Sequence, residues 1–397
     1  MWPDVPQKAA ARYWAEWNAL ALGRRGSGDR LIGRCIVGMG SRMKWAHVED
    51  DNREGRDRIG LFLGALLTRL SLAVLVTAVC FAGSCSGDGR QNGRSGGEKD
   101  AASGSPGAFV RVLGTVQDGG LPHAACTCSH CEAARHDPAR RRWVACLAVC
   151  FPSEGRALLI DATPDIRTQL DQVRDVGQHP NGRTDRHPVD GVLLTHAHIG
   201  HLIGLGFFGF EAVHTKDLPV FCTPRMAMFL RSNGPWDLLV QRREIVLREQ
   251  QPGASFPVGP GVTATSLAVP HRDEHSDTVG YLLRGPRASL LYVPDTDSWR
   301  AWTRPLPQVL EGVDVAILDG TFYSANELPG RDISEVRHPL MTETMTLLGP
   351  LVRSGRTRVF FTHLNHSNPA LDARGKEIRA MEGHGFHVLE EGQEFAL

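Results

Sequence analysis

Three histidines stand within six residues directly after a short apolar run, and this feature restricts the fold of the chain more than any other. Residues 191–194 are apolar, and the next seven residues read Thr-His-Ala-His-Ile-Gly-His, which places imidazoles at His196, His198 and His201. A loop at the carboxyl end of a strand can direct such side chains into a cleft. Neutral imidazoles are the commonest zinc ligands, so the spacing favours a metal site over a chance group of surface histidines.

Short β-rich runs alternate irregularly with helical patterns from residue 109 onward. Ten strands are predicted, at 109–113, 143–151, 157–160, 191–194, 219–222, 262–269, 279–283, 290–293, 313–318 and 358–361. Four helices are predicted, at 164–176, 224–232, 339–351 and 371–382. Because strands outnumber helices, two mixed sheets flanked by helices, an αββα sandwich of the α/β class, fit the pattern better than a doubly wound parallel sheet.

The overall charge gives no indication of a nucleic-acid partner. The 397 residues include 44 Lys and Arg against 44 Asp and Glu, so the formal net charge is zero. The nine cysteines are unevenly placed and do not form a disulfide ladder. Cys146, Cys150 and Cys222 lie in apolar runs and are predicted to be buried in the core.

The first hundred residues predict export. Residues 59–83 are apolar except for Arg69, and they run into Ala-Gly-Ser-Cys, which resembles a bacterial lipobox with Cys85 as the lipidated residue. An uncleaved membrane anchor and a plain soluble protein are the alternatives, and a charge in the middle of the span disfavours the anchor. We therefore expect a lipoprotein attached to a membrane of the bacterial cell envelope and exposed outside the cytoplasm, with a cytoplasmic location as the alternative.

Two segments flank this predicted signal. Residues 1–58 show no clear periodicity, and a signal peptide should stand near the start of a chain, so an initiation site downstream of Met1 is consistent with the pattern. Residues 86–107 are rich in Gly and Ser and are expected to form a flexible tether. The folded domain is then expected to span 108–397.

The histidine segment resembles the His-x-His-x-Asp-His motif of the metallo-β-lactamase superfamily. Further family motifs are matched in order along the chain, at Asp161 after an apolar run, at Val-Pro-His271, at Val-Pro-Asp295 and at Phe-Thr-His363. The resemblance implies the metallo-β-lactamase fold, with Asp161 supporting the metal-binding loop without touching the ion. It also implies a metal site formed by His196, His198, His201, His271, Asp295 and His363.

One position departs from the family motif. Gly200 stands where the family has an aspartate that binds the second metal. The first position, with His196, His198 and His271, is complete. We therefore expect one firmly bound catalytic ion, zinc or iron, and a weaker second position.

A cysteine cluster near residue 128 predicts a separate structural zinc site. The thiols belong to Cys126, Cys128 and Cys131. Three thiols at this spacing can reach one zinc ion, whereas a disulfide leaves one thiol over. A similar cluster binds structural zinc in the branch of the superfamily that includes phosphoribosyl cyclic phosphodiesterases and coenzyme PQQ synthesis protein B. The resemblance to the phosphodiesterases implies His338 as the fourth ligand, with His123 and His130 as local alternatives.

The similarity to the PQQ synthesis protein B group extends over nearly the whole domain. It includes Gly114-Thr-Val-Gln-Asp-Gly-Gly-Leu-Pro, Asp319-Gly-Thr-Phe-Tyr and His363-Leu-Asn-His-Ser-Asn-Pro. Typical members of that group lack the first two metal histidines and are cytoplasmic. This chain retains both histidines and carries a predicted export signal.

Three functions are therefore distinguished. The first is hydrolysis of an ester or phosphodiester by water activated on zinc or iron, with His366 donating a proton to the leaving group. The second is a PQQ-pathway role, either an iron-dependent oxidative step on a peptide precursor or PQQ transport. The third, a tethered binding module without catalysis, requires an empty metal site. The expected partner is a small-molecule or peptide substrate, and the sequence does not predict the oligomeric state.

Overall fold

Two seven-stranded β-sheets form the centre of the protein. The computed structural model describes residues 107–176, 184–327 and 337–397, which fall within one compact unit, Gly97–Leu397. The predicted extension at 1–58, the predicted signal with Cys85 and residues 86–106 of the predicted linker lie outside the described residues. Among the helices that are described, none has the length and apolar character needed to cross a membrane.

The first sheet combines an antiparallel half with a parallel half. Its strands are β1 (Phe109–Gly114), β2 (Cys146–Phe151), β3 (Arg156–Ile160), β4 (Gly191–Leu193), β5 (Leu218–Cys222), β6 (Ile245–Glu249) and β14 (Glu394–Ala396). They lie in the order β14-β1-β2-β3-β4-β5-β6. The pairs from β14 to β3 are antiparallel and the pairs from β3 to β6 are parallel.

The second sheet has the same mixed character. Its strands are β7 (Ser255–Gly259), β8 (Val262–Ala268), β9 (Val279–Arg284), β10 (Ser289–Val293), β11 (Val315–Asp319), β12 (Arg358–Thr362) and β13 (Phe386–Val388). They lie in the order β13-β12-β11-β10-β9-β8-β7. The pairs from β7 to β10 are antiparallel and the pairs from β10 to β13 are parallel.

Helices supply the outer layers. They are α1 (Ser129–His136), α2 (Ile166–Asp171), α3 (Ile199–Leu202), α4 (Pro224–Ser232), α5 (Trp236–Gln241), α6 (Leu306–Val309), α7 (Met341–Arg353) and α8 (Lys376–Glu382). Helix α4 has the predicted bounds because Thr223 caps it: the Thr223 hydroxyl accepts a hydrogen bond from the Met226 N–H at 3.1 Å, and a proline occupies the first helical position.

Strand β3 shows how the layers arise. Successive side chains of a strand point to opposite faces, so Leu158 and Ile160 join the core between the two sheets, where they meet residues of the second sheet such as Tyr281. Leu159 lies on the other face, in a core with Ile166 of α2. A third core covers the outer face of the second sheet under α7 and α8. These layers are the predicted αββα arrangement.

The carboxyl ends of the strands place the polar motifs at one edge of the sandwich. Asp161 follows β3, the histidine segment follows β4, Asp295 follows β10 and His363 follows β12. Parallel strands present their carboxyl ends at the same edge, where α/β proteins bind ligands. Asp161 and His363 have φ angles of 73° and 62°, a left-handed conformation that is costly for residues with a side chain and that clusters at functional sites.

Candidate metal centre

Four side chains converge at a first position of the candidate metal centre. The His198 Nδ1 atom lies 3.0 Å from His196 Nε2 and 3.0 Å from His271 Nε2. The Asp295 Oδ2 atom lies 3.4 Å from His196 Nε2 and 3.0 Å from His271 Nε2. Ligand atoms about 2.1 Å from a tetrahedral ion lie about 3.4 Å from one another. The four atoms therefore have a spacing that can hold one ion.

Hydrogen bonds behind the imidazoles orient their lone pairs toward this position. The Thr195 hydroxyl donates to both carboxylate oxygens of Asp161 at 2.9 Å, so it accepts from His196 Nδ1–H at 3.0 Å. This leaves the lone pair of His196 on Nε2. His271 Nδ1 lies 2.8 Å from Asp297 Oδ1, which leaves the Nε2 lone pair free in the same way. Partners of this kind fix the tautomer of metal-binding histidines.

His201 and His363 define a second position, and their Nε2 atoms lie 3.4 Å apart. His201 Nδ1 lies 2.7 Å from Asp161 Oδ2, so Asp161 orients histidines at both positions. The Thr321 hydroxyl donates to Asp319 at 2.8 Å and therefore accepts from His363 Nδ1–H at 2.9 Å. Nε2 is thus the nitrogen of each ring that faces the second position.

The centre concentrates buried negative charge. Burial opposes the ionisation of Asp295, but His338 and the histidines of the first position hold the pKa of this carboxyl well below its usual value. Burial lowers the pKa of His196 well below its usual value, so that ring is neutral, as a metal ligand must be. Burial also opposes protonation of His201, yet Asp161 and Asp118 raise its pKa to about 9. The carboxylates therefore attract positive charge into the centre.

Within the centre, two buried carboxylate oxygens have no hydrogen-bond partner among the residues that the structure describes. They are Asp118 Oδ1 and Asp295 Oδ1. A buried acceptor without a partner costs free energy, about 1–3 kcal/mol or more when the group is charged. Together with the imidazole lone pairs, these oxygens form a donor set that suits a divalent cation. The residues present therefore fit zinc or iron.

The cysteine cluster is assembled, but with a different histidine from the predicted one. Cys126 Sγ and Cys128 Sγ lie 3.4 Å and 3.5 Å from His366 Nδ1. Cys131 Sγ belongs to the same group, in which all ligand atoms lie within 4.8 Å of one another. A tetrahedral zinc ion places sulfur and nitrogen ligands about 3.6 Å apart. Three thiols and one imidazole thus have the spacing of a structural zinc site.

The predicted roles of His338 and His366 are wrong. His338 Nδ1 lies 2.9 Å from Asp319 Oδ2 and 3.4 Å from Asp295 Oδ1, so His338 lies against the metal centre and not beside the thiols. His366 lies at the thiols, and its Nδ1 atom faces them, so it is not placed to donate a proton at the metal centre. The local alternatives are not ligands either: His130 Nδ1 contacts the His366 carbonyl oxygen at 3.0 Å, and the His123 ring packs on the His366 ring.

Asp118 is a candidate ligand that sequence reasoning missed. Its Oδ1 atom lies 3.7 Å from both His201 Nε2 and His363 Nε2. The available signal was a carboxylate followed by Gly119 and Gly120 a few residues after a strand, a turn that can present a polar side chain. Cys146, Cys150 and Cys222 are fully buried in the core, as predicted.

The chain is similar to proteins of known family. Residues 156–364 match the family model described as the beta-lactamase superfamily domain. Coenzyme PQQ synthesis protein B of Methylobacterium sp. (strain 4-46) is 30% identical over 310 residues, which cover 72% of this chain and 99% of that protein. The same-named protein of Cupriavidus necator is 26% identical over 314 residues, covering 72% of this chain and 99% of its own length.

Solved structures show the same fold. The crystal structure of Zn²⁺-bound PqqB from Methylobacterium extorquens matches with a TM-score of 0.62 at 25% identity, covering 73% of this chain and 100% of that chain. A diphosphatase from the PhnP family matches with a TM-score of 0.51 at 19% identity, covering 72% of this chain and 96% of that chain, and supports the fold alone. The predicted metallo-β-lactamase fold is confirmed.

Proposed function

We propose that this chain, which belongs to the metallo-β-lactamase superfamily, is a metal-dependent hydrolase that cleaves a small ester or phosphodiester. The observation that supports it is the first position, where ligand atoms of His196, His198, His271 and Asp295 lie 3.0–3.4 Å from their neighbours. A bound zinc or iron ion supplies a Lewis acid and lowers the pKa of a coordinated water toward about 7. No side-chain nucleophile is then required.

The chain's own residues hold the three histidines of the first position in the orientation that binds an ion. Asp161 holds His196 through Thr195, and Asp297 holds His271. His198 is held from outside, because its Nε2 atom lies 3.1 Å from Glu274 Oε2 while Nδ1 faces the first position. Preorganised ligands of this kind need little rearrangement when substrate binds.

We assign the proton donor of the proposed reaction to His338. Its Nδ1 atom lies between Asp319 and Asp295, and its ring centroid lies 6.0 Å from that of His363 and 6.2 Å from that of His271. Burial disfavours the charged ring, but the two aspartates outweigh it and raise the pKa of His338 to about 9. The two carboxylates thus favour the protonated form of His338, next to both positions of the centre.

Apolar side chains follow His198 along the chain. Ile199, directly after His198, is 60% exposed, and Ile203 is 44% exposed. Exposed groups of this size at the edge of a site are typical of a binding surface. We expect them to contact an apolar part of the substrate.

The hydrolase proposal is tested with the purified full chain, by elemental analysis together with a panel of p-nitrophenyl esters and phosphodiesters. We expect turnover of one substrate class, loss of turnover in chelator and recovery with added zinc or iron. His198→Ala removes one of three imidazoles, so it should lower the metal content and abolish turnover. His384→Ala, which changes an exposed histidine outside the centre, is the matched control. Fully metal-loaded protein that cleaves nothing in the panel would contradict the proposal.

A second candidate function rests on the similarity to coenzyme PQQ synthesis protein B along 99% of that protein's length. In this alternative the chain carries out an oxidative step on a peptide precursor in the PQQ pathway, or transports PQQ. The retained His196 and His198 favour hydrolysis instead, because they complete the first position. Iron in the purified protein, with turnover that consumes oxygen, would favour the oxidative alternative.

A further inference from the structure

We propose that Asp118 is a metal ligand that completes the second position with His201 and His363, in place of a carboxylate at position 200. This inference deepens the proposed function, because it concerns the same centre. Its test reads metal content and does not depend on the reaction that the centre performs.

The geometry of the second position supports this assignment. Asp118 Oδ1 lies 3.7 Å from each of the two Nε2 atoms, which lie 3.4 Å from each other. These separations are close to the distance between two ligand atoms that bind the same ion, which is about 3.4 Å. The two 3.7 Å separations from Asp118 Oδ1 are too long for hydrogen bonds. An ion at the centre of the triangle would satisfy all three atoms.

Among the described residues, Asp118 has no partner other than these two histidines that would explain its position. Its Oδ1 atom is buried and makes no hydrogen bond to them, and only 26% of the whole side chain is exposed. Both imidazoles turn their Nε2 atoms toward it, because Asp161 and Thr321 hold the Nδ1 atoms of His201 and His363. The carboxylate and the two Nε2 atoms therefore converge on one point, with the far nitrogen of each ring held by a partner, as in metal-binding histidines.

Gly200 and Asp118 share one space. A Cβ atom added at Gly200 would lie 1.9 Å from Asp118 Oδ1 and 2.8 Å from Asp118 Cα. Real Cβ atoms do not approach other atoms so closely, so a side chain at position 200 would displace Asp118. The space beside His201 can therefore receive a carboxylate from one position or from the other, but not from both. The position of Asp118 thus explains why residue 200 is a glycine.

The backbone fixes Asp118 beside His363. The Gln117 N–H donates to the Leu364 carbonyl oxygen at 3.0 Å, so the residues before Asp118 and after His363 are joined directly. The Gly120 N–H donates to the Gln117 carbonyl oxygen at 2.8 Å, which closes a turn around Asp118. Gly120 has a φ of 71°, which glycine adopts without strain. Asp118 is therefore held by the fold and is not a mobile surface carboxylate.

The test compares the metal content of full-length variants after zinc loading and dialysis, measured by elemental analysis. We expect the wild-type protein to hold two ions in the histidine centre in addition to the zinc at the cysteine cluster. Asp118→Asn preserves the shape of the side chain but removes its charge, so it should hold one ion fewer. Asp171→Asn, which changes an exposed carboxylate on α2, is the matched control and should match the wild type.

Two variants at position 200 make the test independent of the folding of Asp118→Asn. Gly200→Asp alone should lose an ion, because the new side chain collides with Asp118. Gly200→Ala adds only a Cβ atom, which collides with Asp118 in the same way, so it should lose the same ion. Wild-type metal content in Asp118→Asn, or a gain of metal in Gly200→Asp alone, would overturn the assignment. Two bound ions without hydrolysis would instead refute the proposed function and leave the role of Asp118 intact.

Discussion

His338 and His366 show at the level of single residues how a short stretch of backbone decides a role. His366 stands three residues after His363, yet the loop between them turns toward the cysteine cluster. The Asn365 N–H donates to the Thr321 carbonyl oxygen at 3.0 Å, and the Asn368 side chain donates to the Gly320 carbonyl oxygen at 2.8 Å. These bonds fix the course of the loop, so proximity in sequence to a metal ligand does not place His366 in the centre.

Replacing His338 tests its role as a proton donor. We expect His338→Gln to retain the metal content of the wild type, because the first position is complete without it. The variant should lower kcat roughly 10²–10⁴-fold while KM changes little, since a general acid acts in the transition state. Elemental analysis and steady-state kinetics on the active substrate provide the measurements. His366→Gln is the informative comparison, because it should lose zinc from the cysteine cluster. Unchanged kcat in His338→Gln would remove His338 from the mechanism.

The strands that the sequence predicted and those that it missed differ in their place in the sheets. All ten predicted strands are present, with shifted ends, whereas β6, β7, β13 and β14 were missed. In the described part of the chain, these four are the edge strands of the two sheets. An edge strand packs less of its surface, so its apolar pattern is weaker; β7, for example, includes Pro257, which an edge tolerates.

The metal centre was predictable where its ligands follow strands and unpredictable where they lie on loops. The ligands of the first position each follow a strand or stand beside one, so they could be matched to the family motifs in order along the chain. His366 lies on a loop 240 residues after Cys126, which it contacts. Asp118 lies on a loop near the start of the domain and faces His363 near its end. Their contacts depend on how the two sheets pack, which no local pattern records.

Replacing Cys128 tests whether the cysteine cluster stabilises the loop that carries α1. Structural zinc contributes directly to the free energy of folding, because the unfolded chain does not offer the assembled ligands. We expect Cys128→Ser to lose one zinc ion per chain and to unfold at a lower temperature. Cys222→Ser, at a buried cysteine outside the cluster, controls for the loss of a thiol. Unchanged zinc content in Cys128→Ser, measured by elemental analysis, would refute the structural site.

At the scale of the whole molecule, the metal centre depends on both sheets. Asp161 and the histidine segment come from the first sheet, whereas Asp295 and His363 come from the second. The first position joins them, because Asp295 Oδ2 lies 3.4 Å from His196 Nε2. The apolar core between the sheets therefore sets the distance between the two halves of the centre. Packing changes in that core are expected to reach the metal ligands.

Attachment to a membrane remains a prediction for the whole molecule, and it rests on Cys85, which lies outside the described residues. If Cys85 is diacylated after removal of the apolar segment, a single acyl-bearing residue and a flexible tether hold the domain at the membrane surface. We expect Cys85→Ser to abolish metabolic labelling with a palmitate analogue and to release the protein from the membrane fraction. Cys80→Ser, which changes a cysteine inside the same apolar segment, is the matched control and should behave as the wild type. Membrane retention of Cys85→Ser without acyl labelling would instead indicate that residues 59–83 remain as an uncleaved anchor, and a soluble, unlabelled wild-type protein would favour the cytoplasmic alternative.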